Sequence, residues 1–291
     1  MKPTVGERAF GYFNILLMIG LCVVTLYPFL YVLFASISEA TSFLQHSGLL
    51  FGPAGFDLRA YKAVFQNPMI IKGYENTLLY VTLGTAINLV MTAIGAYVLS
   101  RPNLYFKNII MFFIVVTMVF HGGLIPSYLL VNQLGMMNTM WAILIPGAIN
   151  TFNMIIMRTS FQSVPVSLEE SARMDGASDW TILFRIVIPL SMPVIAVMIL
   201  WYAVGHWNSY FSALVYLRNS EKYPLQLVLR DILIANSTDS MMTGSASDDK
   251  YAIGETIKYA TIIVSTLPII CLYPFLQKYF VKGVMIGAIK G

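Results

Sequence analysis

Five stretches of this chain carry no Asp, Glu, Lys or Arg at all: residues 9–38, 76–100, 108–157, 186–217 and 259–277. A helix needs about 20 apolar residues to cross the hydrocarbon core of a bilayer. Each stretch is close to that length or longer, and 108–157 is long enough for two crossings. Composition agrees: the chain is 57% hydrophobic and 11% charged, against roughly 25% charged in a soluble domain. A water-soluble fold is excluded on those grounds.

Polar, turn-like breaks at Asn132-Gln133-Leu134-Gly135 and Asn138-Thr139 divide the longest stretch. The expected fold is an all-α membrane protein with six transmembrane helices, at about 10–37, 74–99, 108–131, 138–160, 191–217 and 256–277. The first apolar run is too long for a cleaved signal peptide, and no small-residue cleavage site follows it promptly. Pro28 inside it is tolerable, because neighbouring groups satisfy the freed carbonyl in a membrane helix. Cys22 and Cys271 fall inside spans and read as packing residues.

Orientation follows the Lys/Arg bias. With the N-terminus inside, 10 of the 18 basic residues face the cytoplasm, and the short 100–107 loop is basic. Residues 1–9 are then a cytoplasmic N-terminus, and 10–291 form a single transmembrane domain with a cytoplasmic tail at 278–291. External loops cover 38–73 and 218–255, and a cytoplasmic loop covers 161–190. Within the external loops, a short helix is expected around Leu58–Phe65 and an ordered amphipathic piece over Tyr223–Arg230. The Ser/Asp/Met/Gly stretch Ser237–Asp249 reads as a mobile linker.

The 161–190 insert holds Glu169, Glu170, Arg173, Asp175, Asp179 and Arg185 and is flanked by long apolar runs on both sides. Ser167 followed by Glu170 reads as a capping box opening a helix from Leu168 to about Asp175. Acids in the first turn complement the positive helix end. Gly176 permits a left-handed stop. Ser178 or Asp179 then caps a second short helix, Trp180–Ile186, and Pro189 and Pro193 lead into the fifth span. Asp175 is expected to brace this elbow through Arg173 or Arg185. Read by physics alone, the segment is either a docking element or an ordinary amphipathic connector.

Glu170, Ser171, Ala172, Gly176, Ile186, Ile188 and Pro189 fall at the spacing of the signature loop of binding-protein-dependent ABC import permeases, which this segment resembles. Ser171 replaces an alanine of that pattern, and Ile188 a leucine. Asp175-Gly176-Ala177 is similar to the carbohydrate-uptake branch, as in the second permease subunit of maltose transporters. Asn76-Thr77, Ala96–Arg101 and Gly287–Gly291 agree with it. Gly122–Pro126 and His206-Trp207-Asn208 resemble a subgroup serving complex oligosaccharides.

The resemblance implies a type I ABC importer permease with a cytoplasmic coupling helix between spans four and five. Glu169, Glu170, Ser171, Ala172, Asp175, Gly176, Ala177 and Pro189 would then meet an ATPase. The implied partners are a cytoplasmic ATPase dimer, a second homologous permease and an extracytoplasmic sugar-binding protein, in a prokaryotic cytoplasmic membrane. No nucleic acid and no cofactor is expected on this chain. ATP, with magnesium, would be held by the ATPase, since the chain has no phosphate-binding loop of the Gly-x-x-x-x-Gly-Lys type.

Polar groups inside spans usually face a bundle interior or a cavity. Tyr202, Asn208, Asn88 and Asn150 are therefore candidates for a substrate pathway. His46, His121 and His206 are too scattered for a metal set and read as hydrogen-bonded side chains. The competing reading is a self-contained secondary transporter or channel. That class calls for a buried ionisable coupling group, and the spans hold none apart from neutral histidines.

Overall fold

Charge-free runs become long helices where nothing interrupts their backbone hydrogen bonds, and bent pairs where something does. The computed structural model describes residues 5–234 and 253–271, and every regular element in them is helical. In order these are α1 (Val5–Ser36), α2 (Ala40–Gln45), α3 (Arg59–Gln66), α4 (Pro68–Ser100), α5 (Lys107–Val119), α6 (Leu124–Gln133), α7 (Trp141–Leu144) and α8 (Thr151–Gln162). Then follow α9 (Val166–Met174), α10 (Asp179–Ile182), a π-helical turn Leu183–Val187, α11 (Ile188–Leu190), α12 (Met192–Trp207), α13 (Phe211–Tyr216) and α14 (Leu225–Ile234). α15 covers Ile253–Cys271.

Among the described residues three helices, α1, α4 and α15, are long and apolar enough to cross a membrane unbroken. Two bent pairs raise that to five: α5 with α6, at 110°, and Asp179–Leu190 with α12, at 88°. Six spans were expected, and the departures from their expected ranges have local causes. The third breaks at residues 120–123, where Phe120 is extended and Gly123 sits at φ 84°. That backbone region suits glycine. The fourth shrinks to α7 and α8, separated by a stretch holding Pro146 and Gly147. Asn150 restarts the helix there as its N-cap, accepting from the Asn153 N–H at 3.0 Å. The fifth ends at Trp207, ten residues short of the expected 191–217 range, and α13 follows it.

The external 38–73 segment is more than a loop. It holds α2, α3 close to the expected Leu58–Phe65, and the opening turns of α4, which begins at Pro68 rather than 74. The amphipathic piece expected over Tyr223–Arg230 is α14. Ser237–Asp249 and the 278–291 tail lie outside the described residues.

Packing divides the chain into two units, Met1–Ile70 with Leu229–Pro268 and Ile71–Val228 with Ile269–Gly291. In the first, α1 exposes apolar side chains such as Phe10, Leu16 and Val24 over most of its length. Tyr31, Phe43 and Tyr259 form an edge-on aromatic cluster, with ring centroids 5.4–6.4 Å apart. Cys22 lies exposed on α1, and Cys271 is exposed as well, so neither packs in a core as expected.

In the second unit, Ala93, Ala96, Met157, Phe161, Ile182, Val187 and Met198 form one core shared by α4, α8, α10, the π turn and α12. The start of α4 holds residues 221–225. Asn76 donates to the carbonyls of Glu221 and Tyr223, and Tyr80 to that of Lys222. The Leu225 N–H donates to Thr77 Oγ1 at 2.8 Å. Gly73 makes this approach possible, because a Cβ there would lie 3.1 Å from the Leu225 Cα.

Candidate functional site

The elbow between α8 and α12 is built from short pieces that each end for a stated reason. α9 starts at Val166 with Pro165 as its N-cap, and no side chain caps it. Ser167 therefore lies inside the first turn, and the expected capping box with Glu170 does not form. At its other end α9 closes with a double hydrogen-bonded stop. The Ala177 N–H reaches the Ala172 carbonyl at 2.9 Å and the Gly176 N–H reaches Arg173 at 3.0 Å. Gly176 has φ 79°, the left-handed position this stop requires. Ser178 then caps α10, accepting from the Thr181 N–H at 3.3 Å.

The expected helix Trp180–Ile186 is one α turn followed by the π turn Leu183–Val187. Pro189, which has no N–H to donate to the preceding turn, comes two residues after this widened turn. The chain then turns by 88° at Ser191 into α12.

The inner side of the elbow is bound to the end of α4. Glu169, only 4% exposed, forms an ion pair with Arg101. The Arg101 guanidinium also donates to Ser100 Oγ and the Phe161 carbonyl, and lies 4.7 Å over the Tyr97 ring. Burial pulls that guanidinium below its ordinary pKa, though an arginine stays protonated. The Tyr97 hydroxyl donates to Asp179 at 3.3 Å, and Asp179 accepts from Arg173 at 2.5 Å. α9, α10 and the end of α4 are thus tied pairwise. Magnitudes rank the ties: removing one partner of a buried ion pair costs about 3–5 kcal/mol, whereas an exposed pair such as Arg173–Asp179 contributes about 0–1 kcal/mol. The basic end of α4 is reinforced by Arg158 Nε donating to the Leu99 carbonyl at 2.9 Å and Lys107 to that of Arg101 at 3.0 Å.

The expected docking residues divide by face. Glu169 is turned inward. Ala172 and Ala177 are half-buried against the core. Glu170, Ser171, Asp175, Gly176 and Pro189 are exposed. Asp175 is the C-cap of α9, and the brace expected of it is made by Asp179 instead, because Asp179 stands at the start of α10 facing both Arg173 and Tyr97. Sequence reasoning missed the outer apolar set. Met174 is 89% and Trp180 59% exposed, Leu168 and Phe184 are exposed too, and the Trp180 and Phe184 rings stack with centroids 6.1 Å apart. An aromatic pair at i and i+4 in an otherwise polar segment was the available signal.

The pathway candidates do not form one hydrogen-bonded set among the described residues. Asn88 is 1% exposed with its amide fully used. Its Nδ2 donates to the carbonyls of Gly147 and Ala148 at 2.6 and 3.0 Å, and its Oδ1 meets His206 Nε2 at 2.6 Å. Tyr202 is buried, with its hydroxyl 2.7 Å from Thr92 Oγ1. Both residues join α4 to other spans. Asn150 and Asn208 are exposed, as the N-cap of α8 and the C-cap of α12.

Apolar helices, with a polar elbow inserted between two of them, define an integral-membrane protein. Residues 89–286 match the family described as binding-protein-dependent transport system inner membrane component, and the chain belongs to that family. It is 41% identical to Protein LplC of Bacillus subtilis, over 100% of this chain and 98% of that one. It is equally 41% identical to the polygalacturonan/rhamnogalacturonan transport system permease protein YtcP of the same organism, over 96% of each. Among solved structures it resembles a chain of a bacterial ABC transporter involved in the import of the acidic polysaccharide alginate. The TM-score is 0.87 at 35% identity, covering 96% of this chain and 99% of that one. The reading as a self-contained carrier or channel gives way to this assignment.

Proposed function

We propose that the chain is one of two pore-forming permease subunits of an ATP-driven oligosaccharide importer, and that its elbow docks on a cytoplasmic ATPase dimer. The chain itself catalyses nothing; ATP and magnesium are bound by the ATPase. An extracytoplasmic sugar-binding protein delivers the substrate, and the 218–255 segment contacts it. Both termini are cytoplasmic. Transport proceeds by alternating access between the two permeases.

The observation that carries this reading is the two-sided elbow. Its inner face is tied to α4, while its outer face offers Leu168, Met174, Trp180 and Phe184 beside Glu170 and Gly176. Exposed apolar side chains bordered by charge mark a protein interface. At Gly176 a Cβ would meet nothing within 4 Å of this chain, so a side chain added there enters space available to a partner, and at φ 79° it also strains the stop of α9. Uronic-acid oligosaccharides are the favoured substrate class, because two relatives above 30% identity are named for polygalacturonan/rhamnogalacturonan transport and for import of alginate.

The test is an affinity pull-down from native membranes in mild detergent. Wild type is expected to bring down an ATPase and a second permease, and to take up galacturonate oligomers once reconstituted with the binding protein. Gly176→Asp is expected to lose the ATPase and keep the second permease. Wild type purifying alone and still transporting in liposomes would sink the proposal.

A further inference from the structure

The docking reading explains what the outer face of the elbow is for, but leaves the buried charge of Glu169 unused. That charge is the unusual feature. A connector that only had to be rigid would be served by the apolar contacts of Ala172, Ala177, Ile182 and Leu183 with the core. Here instead a carboxylate on α9 is taken out of water to meet a guanidinium at the end of α4. A buried ion pair is weak support for stability, since an apolar replacement of similar volume is often neutral or better. What it does supply is a directional link that holds one geometry.

The neighbouring contacts complete the link. Arg101 is fixed from three sides, by Ser100 Oγ, the Phe161 carbonyl and the Tyr97 ring. Tyr97, one turn back on α4, reaches Asp179 at the start of α10, and Asp179 returns to α9 through Arg173. Three elements, α4, α9 and α10, are joined in a closed triangle, whose one buried edge is Arg101–Glu169. α4 is a single unbroken helix of 33 residues. Its far end binds residues 221–225 through Asn76, Thr77 and Tyr80. A displacement of the elbow is therefore presented to α4 as well as to α12, which the chain itself continues into.

We propose that Arg101 and Glu169 are positioning residues for energy coupling: the pair is a strut that carries movement of the docked elbow into α4, and takes no part in holding the ATPase. The inference rests on the docking reading above. Two-site coupling of this kind is ordinarily worth a 5–150-fold change.

The experiment uses the whole importer in proteoliposomes, with galacturonate oligomers as the probe, and measures uptake and ATP hydrolysis together. Co-purification of the ATPase is scored on the same preparations. In Glu169→Gln the ATPase is expected to remain bound, while uptake per ATP hydrolysed falls by about tenfold. The exchanged pair Arg101→Glu with Glu169→Arg is expected to recover only part of that ratio, because a carboxylate at 101 cannot donate to the Phe161 carbonyl or sit as a cation over the Tyr97 ring. The readout that a merely structural role would not move is the fall in uptake per ATP at unchanged ATPase binding. Glu169→Asp, which keeps the charge and shortens the reach, is expected to fall between and serves if the glutamine variant does not accumulate. An unchanged ratio in Glu169→Gln or Glu169→Asp overturns the strut, as does a lower stability with an unchanged ratio. Loss of the ATPase from Glu169→Gln also overturns it, by making Glu169 part of the docking face. Wild type that brings down no ATPase defeats the docking reading itself, a result distinct from all of these.

Discussion

Asn88 shows how a single amide can hold a broken span in a membrane. Its side chain satisfies the carbonyls of Gly147 and Ala148, which no helix turn covers, and meets His206 as well. Hydrogen bonds between membrane helices average about 0.6 kcal/mol each, so three of them come to about 2 kcal/mol. Asn88→Ala is accordingly expected to lower stability by about 2 kcal/mol, read as a lower unfolding midpoint in detergent, with the elbow and its docking intact. Wild-type stability with impaired uptake would instead restore Asn88 as a pathway residue. At this scale the sequence was only half legible. It marked Asn88 and Tyr202 as polar groups facing inward, which they are, but could not say that their partners lie within the same chain. Glu169 and Glu170 are adjacent and chemically alike, and only Arg101, brought close by the fold, separates the buried acid from the exposed one.

Helices and their interruptions were legible in unequal measure. Long charge-free runs gave α1 and α4, and Gly176 gave the left-handed stop of α9. The break expected at 132–139 was legible too, since α6 ends at Gln133 and α7 begins at Trp141, but the breaks at 120–123 and 145–150 were not, because proline alone does not decide them. Pro28 stays inside α1, whereas Pro146, followed by Gly147 and the Asn150 cap, interrupts a helix whose freed carbonyls Asn88 bonds from another element. A distant partner of that kind leaves no trace in local pattern. The α4–α12 contact gives a prediction at the same scale. A Cβ on Gly84 would sit 2.5 Å from His206 Nε2. Gly84→Val is expected to cost about 2 kcal/mol through overpacking, seen as a lower unfolding midpoint. Adding His206→Ala should return part of the loss, and a single variant as stable as wild type would show that the two helices do not meet this closely.

For the molecule as a whole, orientation decides whether the elbow can reach ATP. Alkaline phosphatase fused after His46 is expected to be active and after Leu104 inactive, since the basic 100–107 loop favours the cytoplasm. The reverse pattern would put the elbow outside and end the docking proposal. Given that orientation, the 88° corner at Ser191 acquires a mechanical meaning. The segment Asp179–Leu190 is an arm of about 18 Å and α12 one of about 24 Å, at 1.5 Å per residue. If the corner keeps its angle, the two behave as a bell crank: a push on the short arm turns through nearly a right angle and is magnified by about a third. If the elbow is driven as proposed, a step at the end of the short arm therefore reappears about a third larger at the far tip of α12.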